Sequence, residues 1–375
     1  MKRVLLVFGT RPEAIKMAPL VREFRSYPEE FETRVCVTAQ HRAMLDQVLS
    51  FFGIVPDYDL DLMTPQQDLH GLTARVITSM KPVLEEFRPD YVLVQGDTTT
   101  TAAAALASFY LGITVCHVEA GLRTHNKRAP FPEEVNRQIT SVITDYHFAP
   151  TASARDNLLK ENIEADRILV TGNTVVDALL WAAEQVESMQ DQDIIRLKKL
   201  TETNRKIILV TGHRRENFGS GFENICRALK EIAQTEEVEI IYPVHLNPTV
   251  QSQVHTSLDA IRNIHLMAPL SYPAFVWIMK RSHLILTDSG GIQEEAPGLG
   301  IPLLLMREAT ERPEAMESGN IRLVGTDAET IKVAIRDLLI DQQLHYQMSI
   351  KNHPFGSGDA SKTIVEYISG LTLQP

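Results

Sequence analysis

Short apolar segments alternate with segments of helical length along almost the whole 375-residue chain. Most of the apolar segments are only four or five residues long and rich in Val, Ile and Leu, and most of the segments between them have the periodicity of amphipathic helices. This alternation predicts βα units, in which parallel strands are joined by crossover helices. The predicted fold class is therefore α/β, with doubly wound, Rossmann-like parallel sheets.

The predicted elements fall into two groups. In the N-terminal group, strands are predicted at residues 4–8, 35–38, 91–95, 114–118 and 168–170, and helices at 12–26, 69–87, 98–110 and 173–189. In the C-terminal group, strands are predicted at residues 207–211, 240–242, 264–266, 284–287 and 303–305, and helices at 222–235, 272–281, 292–299 and 330–340. Each group is long enough to form its own sheet.

The length of the chain favours two domains, since a domain typically holds about 150 residues. Residues 187–204 are rich in Gln, Asp, Lys and Glu and are the best candidate for the boundary between the two groups, although this segment can equally be the end of a long helix. We therefore expect Rossmann-like domains at residues 1–190 and 191–375, with a C-terminal helix that can pack back on the first domain. Two such domains facing each other across a cleft would place the carboxyl ends of both sheets at one ligand site.

Composition excludes several classes of protein. The net charge of −11 argues against general binding to nucleic acid, which needs a basic surface. Cys36, Cys116 and Cys226 are too far apart in sequence to indicate a disulfide framework or a zinc site. No apolar run approaches the length of about 18 residues that a membrane span needs, and a signal peptide would have a longer apolar core. We expect a cytoplasmic protein that binds neither nucleic acid nor membranes.

Two turns between a strand and a helix have the character of anion sites. GTRP at residues 9–12 places Arg11 at the positive end of a helix, where backbone N–H groups and Arg11 can hold an anion. The same turn can equally be a tight connection with a surface arginine. DSGG at residues 288–291 combines two glycines with a helix start, which favours phosphate. Neither turn matches a dinucleotide fingerprint or a P-loop, so a nicotinamide cofactor is not expected.

Polar residues after other strands are candidates for acid–base chemistry. Asp97 either caps the next helix or faces the ligand site, whereas Glu119 at a strand end is hard to explain by packing. Glu133 stands at a predicted helix start, where the helix dipole alone favours an acid. His213 can be an acid, a base or a phosphate ligand, and His245 is a weaker candidate of the same kind. Such groups beside anion sites suit acid–base work on a phosphorylated or nucleotide-linked substrate.

Seven motifs occur in consistent order within about residues 3–365. They are FGTRPEAIK (8–16), QHR (40–42), GDTTTT (96–101), HVEAGLRT (117–124), HRREN (213–217), DSGGIQEE (288–295) and TERPE (310–314). The ordered set resembles the non-hydrolysing UDP-N-acetylglucosamine 2-epimerases of bacteria. The resemblance implies the two-domain fold of GT-B glycosyltransferases, a homodimer, and a reaction without metal or redox cofactor.

The resemblance also implies a reaction, the interconversion of UDP-GlcNAc and UDP-ManNAc. UDP would leave by anti elimination to give a 2-acetamidoglucal, and would add back as a proton reaches the other face of C2. The product would supply ManNAc units for surface polysaccharides. By position, the acid–base and polar catalytic group would be Asp97, Glu119, Glu133 and His213.

Binding residues follow from the same resemblance. Contacts with UDP fall on Arg11, Lys16, Leu270, Phe275, Ser289, Gly290, Gly291, Glu295 and Arg312. Phe275 would lie near the uracil and Glu295 near the ribose hydroxyls. Leu270 stands where the family often has a Gln that contacts the uracil, and a contact made by the main chain would tolerate Leu there. Some members bind a second, activating UDP-GlcNAc between the domains, and the matching residues are Gln40, His41, Gln67, Glu133, Arg214 and His245. Ala43 and Gln66 differ from the Gln and Arg that some members have in that site.

Three other functions stay open on the sequence alone. A GT-B glycosyltransferase would share the architecture but transfer the sugar to an acceptor, and a hydrolysing epimerase would release free ManNAc and UDP. A nucleotide-sugar-binding regulator would bind UDP-GlcNAc without turnover. The presence of all four acid–base residues argues against such a regulator.

Overall fold

A computed structural model describes residues 1–39, 42–63, 68–212, 214, 217–310 and 312–372. The chain forms two compact units. Unit 1 contains Met1–Ala178 and the segment that begins at Phe355, and unit 2 contains Leu179–Pro354. Unit 1 is therefore built from two separate stretches of the sequence.

Unit 1 contains a seven-stranded sheet in which every neighbouring pair is parallel. Its strands are β1 (Lys2–Phe8), β2 (Phe31–Val37), β3 (Tyr58–Asp59), β4 (Tyr91–Gln95), β5 (Thr114–Val118), β6 (Tyr146–Ala149) and β7 (Ile168–Val170), in the spatial order β3-β2-β1-β4-β5-β6-β7. The helices between them are α1 (Arg11–Arg25), α2 (Arg42–Phe52), α3 (Leu69–Phe87), α4 (Thr99–Tyr110), α5 (Glu133–Ile143) and α6 (Ala152–Lys160), and α7 (Thr174–Gln185) follows β7. A short 3₁₀ helix spans Ala165–Arg167.

The central strand β1 explains why unit 1 folds in this way. Residues 4–8 of β1 are fully buried, because helices cover both faces of a parallel sheet and its central strands are apolar throughout. The chain winds from β1 outward to β3 and then returns to β4 on the other side of β1. The strand order therefore reverses between β1 and β4, the place where such sheets bind ligands at their carboxyl ends.

Unit 2 repeats this design with six parallel strands. They are β8 (Lys206–Thr211), β9 (Val238–Pro243), β10 (Ile264–Met267), β11 (Leu284–Thr287), β12 (Leu303–Leu305) and β13 (Ile321–Leu323), in the order β10-β9-β8-β11-β12-β13. Its helices are α8 (Gln192–Thr201), α9 (Ser220–Thr235), α10 (Pro248–Leu258), α11 (Tyr272–Arg281), α12 (Gly290–Leu299), α13 (Pro313–Glu317), α14 (Ala328–Ile340) and α15 (Gln342–Met348). The strand order reverses between β8 and β11.

The last helix, α16 (Ala360–Gly370), belongs to unit 1 and packs against α1. Its inward face buries Ile364, Val365 and Ile368. The Lys2 side chain donates from Nζ to the carbonyl oxygen of Ile368 at 2.8 Å. The start of β1 is thus joined to the last helix of the described chain.

The boundary between the units lies within α7, whereas the sequence placed it near residue 190. The polar segment 187–204, from which the boundary was expected, contains α8, and its polar residues form the outer face of that amphipathic helix. Ile194 and Leu197 of α8 are buried, and Lys280 of α11 donates to Glu187 at 2.6 Å within unit 2. High polarity here marks the outer face of a helix.

The predicted fold class, two doubly wound Rossmann-like sheets, is confirmed. Each strand that the sequence predicted is present. The two-residue strand β3 and the strands β6 and β13 were not predicted. In the part of the chain that the structure describes, no helix combines the length and apolar character of a membrane span.

Candidate functional site

Glu119 is held in an unusual backbone conformation directly after β5. Its φ of +63° lies in the left-handed region, which non-glycine residues seldom adopt. Such strained residues persist only where the surrounding structure fixes them, and they are concentrated at functional sites. The conformation supports the expectation that packing alone does not explain this residue.

Three polar side chains from three parts of unit 1 hold the carboxylate of Glu119. Lys16 of α1 forms an ion pair with it, Gln95 at the end of β4 donates to Oε1 at 3.0 Å, and Asn173 donates to Oε2 at 2.7 Å. The side chain is only 7 % exposed. Hydrogen bonds and an ion pair from these three side chains fix the orientation of the carboxylate.

Asp97 follows the neighbouring strand β4 and is held by α5. The Arg137 guanidinium pairs with Asp97 through Nη2 and with Glu134 through Nη1, the latter at 3.1 Å. Asn136 donates to the backbone oxygen of Asp97 at 3.0 Å. The Asp97 side chain keeps 27 % of its surface exposed, so the carboxylate is fixed but accessible. Glu133, the first residue of α5, is partly exposed at the start of the same helix.

Glu134 is a fully buried part of this arrangement. Burial raises the pKa of its carboxyl group, but hydrogen bonds from the Thr124 backbone N–H and the charge of Arg137 outweigh that effect and lower the pKa below its usual value. Glu134 also accepts a hydrogen bond from the His125 N–H at 3.0 Å. The ionised Glu134 therefore fixes Arg137 from one side, and Arg137 fixes Asp97.

A second buried carboxylate, Glu13, corrects the expectation for the first anion turn. It accepts hydrogen bonds from the N–H groups of Gly9 at 3.0 Å and Thr10 at 2.8 Å, and from the Thr98 hydroxyl at 2.6 Å. The pKa of Glu13 lies above its usual value, because the effect of burial exceeds that of these hydrogen bonds, which lower the pKa. The backbone N–H groups that the sequence assigned to an anion therefore already have a partner. In this turn, Arg11 is the residue that stays a candidate for anion binding.

His117 of β5 supports the loop that carries Asp97. Its Nε2 lies 2.7 Å from the carbonyl oxygen of Gly96, so Nε2 carries the hydrogen in this contact. Burial lowers the pKa of His117 to about 4, and the ring is neutral near pH 7. A neutral donor therefore fixes the turn immediately before Asp97.

In unit 2, Arg312 lies beside the start of α12, at the turn that the sequence predicts as the second anion site. Helix α12 begins at Gly290, directly after the N-cap residue Ser289. Glu294 accepts a hydrogen bond from Nε of Arg312 at 2.6 Å, which holds the guanidinium beside the helix start. A Cβ on residue 290 would lie 2.8 Å from Nη1 of Arg312, so a side chain at this position would displace the guanidinium. A helix N-terminus beside an arginine favours a phosphate group.

Asp288 links two loops of unit 2. Its buried carboxylate accepts hydrogen bonds from the Arg214 N–H at 2.9 Å and from the Asn217 amide at 3.1 Å. Nε of Arg214 also donates to the backbone oxygen of Asp288 at 2.9 Å. Asp288 thus positions the loop after β8 against the loop after β11, the two strands at which the order of the sheet reverses.

The other predicted binding residues have varied surroundings. Phe275 is partly exposed on α11, Leu270 is buried just before that helix, and Glu295 is buried on α12. Gly291 is exposed in the first turn of α12. His245 is exposed after β9, and its Nδ1 accepts a hydrogen bond from the Asn247 N–H at 3.1 Å.

The structure therefore brings ten of the predicted residues to two places, five in each unit. At the carboxyl end of the unit 1 sheet lie Arg11, Lys16, Asp97, Glu119 and Glu133. At the corresponding end of the unit 2 sheet lie Arg214, Ser289, Gly290, Gly291 and Arg312. His213, Gln40, His41 and Gln67 lie outside the described residues.

Comparison with known proteins identifies the family. The family model described as UDP-N-acetylglucosamine 2-epimerase matches residues 23–369. The chain belongs to the UDP-N-acetylglucosamine 2-epimerase family. The resemblance seen in the seven motifs is thereby confirmed.

Members of the family match nearly the whole chain. The UDP-N-acetylglucosamine 2-epimerase of Yersinia pestis is 55 % identical over 367 residues, which cover 97 % of each chain. The crystal structure of UDP-GlcNAc 2-epimerase from Neisseria meningitidis bound to UDP-GlcNAc has a TM-score of 0.91 at 48 % identity, covering 98 % of this chain and 99 % of the other. The epimerase from Methanocaldococcus jannaschii in complex with UDP-GlcNAc and UDP has a TM-score of 0.82 at 33 % identity, with coverage of 98 % and 99 %.

The sequence left several residues that support these sites without a predicted role. Glu13 could have been found, since the spacing of Thr10 and Glu13 at a helix start matches a capping box, and both of its hydrogen bonds are present. Asn173 and Glu294 gave no comparable signal. Their partners are distant in the sequence and become neighbours only in the folded chain.

Proposed function

We propose that this member of the family is a non-hydrolysing epimerase, which interconverts UDP-GlcNAc and UDP-ManNAc. The observation that carries the proposal is that Asp97 and Glu119 are held separately, by Arg137 and by Lys16, at the carboxyl ends of the adjacent strands β4 and β5. The names of the relatives support the substrate, because the Neisseria meningitidis structure is bound to UDP-GlcNAc.

The reaction needs acid–base groups on both faces of C2. The hydrogen on C2 is not acidic, so a carboxylate takes it while the bond from C1 to the UDP oxygen breaks. The electron pair of the C–H bond then forms the double bond of 2-acetamidoglucal, and UDP leaves with the pair from the C1–O bond. In the return step, the UDP oxygen attacks C1 and a proton reaches C2 from the opposite face. Two carboxylates in different surroundings, such as Asp97 and Glu119, suit these two roles.

The leaving UDP needs positive charge near its diphosphate. In unit 2, the start of α12 and Arg312 provide it, and Glu294 keeps the guanidinium in place. In unit 1, Arg11 is the cation at the start of α1, and His213 is a further candidate from the sequence. Fixed charges and helix N-termini stabilise charge that develops in the transition state without having to reorganise.

The family resemblance supports the remaining parts of the proposal. The enzyme would work as a cytoplasmic homodimer without a cofactor and supply ManNAc units for surface polysaccharides. Its product stays linked to UDP, unlike that of a hydrolysing epimerase.

One experiment tests the reaction. The protein is incubated with UDP-GlcNAc in D2O, and the sugar is followed by NMR. We expect UDP-ManNAc with deuterium at C2. Free ManNAc and UDP would indicate a hydrolysing enzyme, and transfer to an acceptor without exchange at C2 would indicate a glycosyltransferase. UDP-ManNAc without solvent deuterium would overturn proton abstraction at C2.

A further inference from the structure

Two segments connect unit 1 to unit 2, and they are bound to each other inside unit 1. The chain leaves unit 1 after Ala178 and returns to it at Phe355. The backbone N–H of Asn173 donates to the carbonyl oxygen of Phe355 at 2.6 Å. Further along α7, the Asp177 carboxylate accepts a hydrogen bond from the Ser361 N–H at 2.8 Å. The outgoing and returning segments are thus joined at two points.

Two glycines let these segments approach closely. Gly172 has a φ of +84° and Gly356 a φ of +105°, both in the left-handed region. A Cβ on Gly172 would lie 2.9 Å from the carbonyl oxygen of Phe355 and 3.0 Å from Cα of Gly356. Any other residue at position 172 would therefore push the returning segment away. We call the contact of Gly172 and Asn173 with Phe355 and Gly356 the crossing.

The side chain of Asn173 extends from the crossing to Glu119. Its Nδ2 donates to Oε2 of Glu119 at 2.7 Å, and its Oδ1 accepts a hydrogen bond from the Val175 N–H at 3.2 Å. The residue is 2 % exposed. Since Oδ1 binds the start of α7, the amide is oriented and its donor end faces Glu119.

We propose that Asn173 is a positioning residue that couples the Glu119 carboxylate to the crossing. A displacement of the connecting segments is then transmitted through one side chain to Glu119. The inference rests on the proposed function, in which Glu119 takes part in proton transfer at C2. According to this proposal, the segments that connect the units affect the rate of the chemical step.

The charge around Glu119 makes this role measurable. Lys16 of α1 pairs with Glu119, and the charges of Glu119 and Asp97 both act on the nearby His117 ring of β5. Asn173 is a neutral donor in these surroundings. Replacing it by an acid adds a negative charge next to Glu119, which opposes ionisation of that carboxylate.

Asn173→Asp is the decisive variant. It keeps an oxygen acceptor for the Val175 N–H but replaces the donor to Glu119 by a carboxylate. We expect the acidic limb of the kcat/KM profile to move to higher pH by about one unit, and kcat to fall about tenfold or more. The control is Asn224→Asp on α9 of unit 2, where the Asn224 side-chain oxygen accepts a hydrogen bond from Arg227 at 3.1 Å. Its acidic limb should coincide with that of the wild type, and the same result for Asn173→Asp would overturn the proposal.

A glycine pair tests the coupling to the crossing. Gly172→Ala should lower kcat at least about tenfold and leave KM within about threefold, because small displacements of a catalytic group have large effects on rate. Gly53→Ala is the matched control, since Gly53 also has a positive φ, +66°, but no atom within 4 Å of a Cβ. Thermal melts show that both variants are folded under the assay conditions. Equal kcat values for the two variants would contradict the coupling.

A third variant covers the case in which Asn173→Asp or Gly172→Ala does not fold. Asn173→Ser retains an oxygen acceptor but is one bond shorter, and we expect its kcat to fall about tenfold or more with little change in KM. Wild-type kcat in this variant would overturn the role of the amide. Turnover of the wild type in D2O is measured first. Its absence would overturn the proposed function as well, whereas turnover with an unshifted Asn173→Asp profile would overturn the positioning role alone.

Discussion

Arg312 lies over Gly290 so closely that a Cβ at that position would be 2.8 Å from the guanidinium. The same guanidinium donates to Glu294 one turn further along α12. Arg312 is therefore fixed between a residue that has no side chain and a buried carboxylate. The position of the Arg312 guanidinium therefore depends on the absence of a side chain at Gly290 as well as on the charge of Glu294.

Gly290→Ala should weaken binding of the nucleotide sugar. The added methyl group displaces Arg312 from the start of α12, and we expect the KM for UDP-GlcNAc to rise about tenfold or more, since hydrogen bonds between charged groups contribute about 1.5–3 kcal/mol. Gly298→Ala, on the same helix, is the control because its Cβ would make only ordinary contacts of 3.8 Å or longer. An unchanged KM in Gly290→Ala would contradict the role of Arg312, and steady-state kinetics measure both variants.

Asp97→Asn and Glu119→Gln should each lower turnover about 100-fold or more, the usual effect of losing an acid–base group. Both changes keep the size of the side chain but remove the ionisable oxygen. Asp156→Asn, at an exposed position of α6, is the control and should retain wild-type turnover. Production of UDP-ManNAc and incorporation of deuterium at C2 are measured together. A rate near that of the wild type would remove the changed residue from the site.

Glu13→Ala should destabilise unit 1. The change leaves the N–H groups of Gly9 and Thr10 without their acceptor, and each unsatisfied buried donor costs about 1–3 kcal/mol. We expect the free energy of unfolding to fall by about 3 kcal/mol or more in urea denaturation. Glu29→Ala, at an exposed position just after the same helix, should change it by less than about 0.5 kcal/mol, as surface substitutions usually do. Equal stability of the two variants would show that Glu13 is dispensable.

Stability should fall as the pH drops below about 6.5, partly because of two buried histidines on adjacent strands. Burial lowers the pKa of His117 to about 4 and that of His147 to about 3. Between these pKa values and about pH 6.5, the unfolded chain binds protons that the folded chain does not. The contribution of the two neutral rings to the free energy of unfolding is therefore complete above about pH 6.5 and is lost as the pH falls.

His147→Leu removes one of these groups. The loss of unfolding free energy between about pH 7 and about pH 5 should therefore shrink by about 2 kcal/mol relative to the wild type. Val142→Leu, at an exposed position of α5, is the control; it changes no ionisable group and should leave the pH dependence unchanged. Urea unfolding at both pH values gives the comparison. An identical pH dependence in His147→Leu would mean that the ring titrates alike in the folded and unfolded chain.

If the second nucleotide-sugar site of some family members is retained, a plot of the initial rate against the UDP-GlcNAc concentration should be sigmoidal. Glu133, Arg214 and His245 match that site. Arg214→Ala should reduce the sigmoidal character, and initial rates over a wide concentration range measure it. A plain hyperbola for the wild type would contradict activation by substrate.

The extent to which the sequence predicted the site depended on the distance between partners in the chain. Glu119 and Gly290 follow strands, and strands are marked by local apolar patterns, so their place at the ends of the sheets was predictable. The contact between Asn173 and Glu119 joins residues far apart in sequence, and no local pattern encodes it. The turn at Gly9 shows an avoidable error, because the capping-box spacing of Thr10 and Glu13 is a local pattern that predicts a hydrogen bond from the Thr10 N–H to Glu13.

The discontinuity of unit 1 matters while the protein is being made. A ribosome releases the chain from its N-terminus, so α1 is synthesised long before α16, with all of unit 2 between them. Until α16 arrives, the surface that it covers on α1 is open to water, and exposed apolar surface on an incomplete chain favours aggregation. Unit 2 is contiguous in sequence and can be completed first. The domain synthesised first is thus the last to be finished.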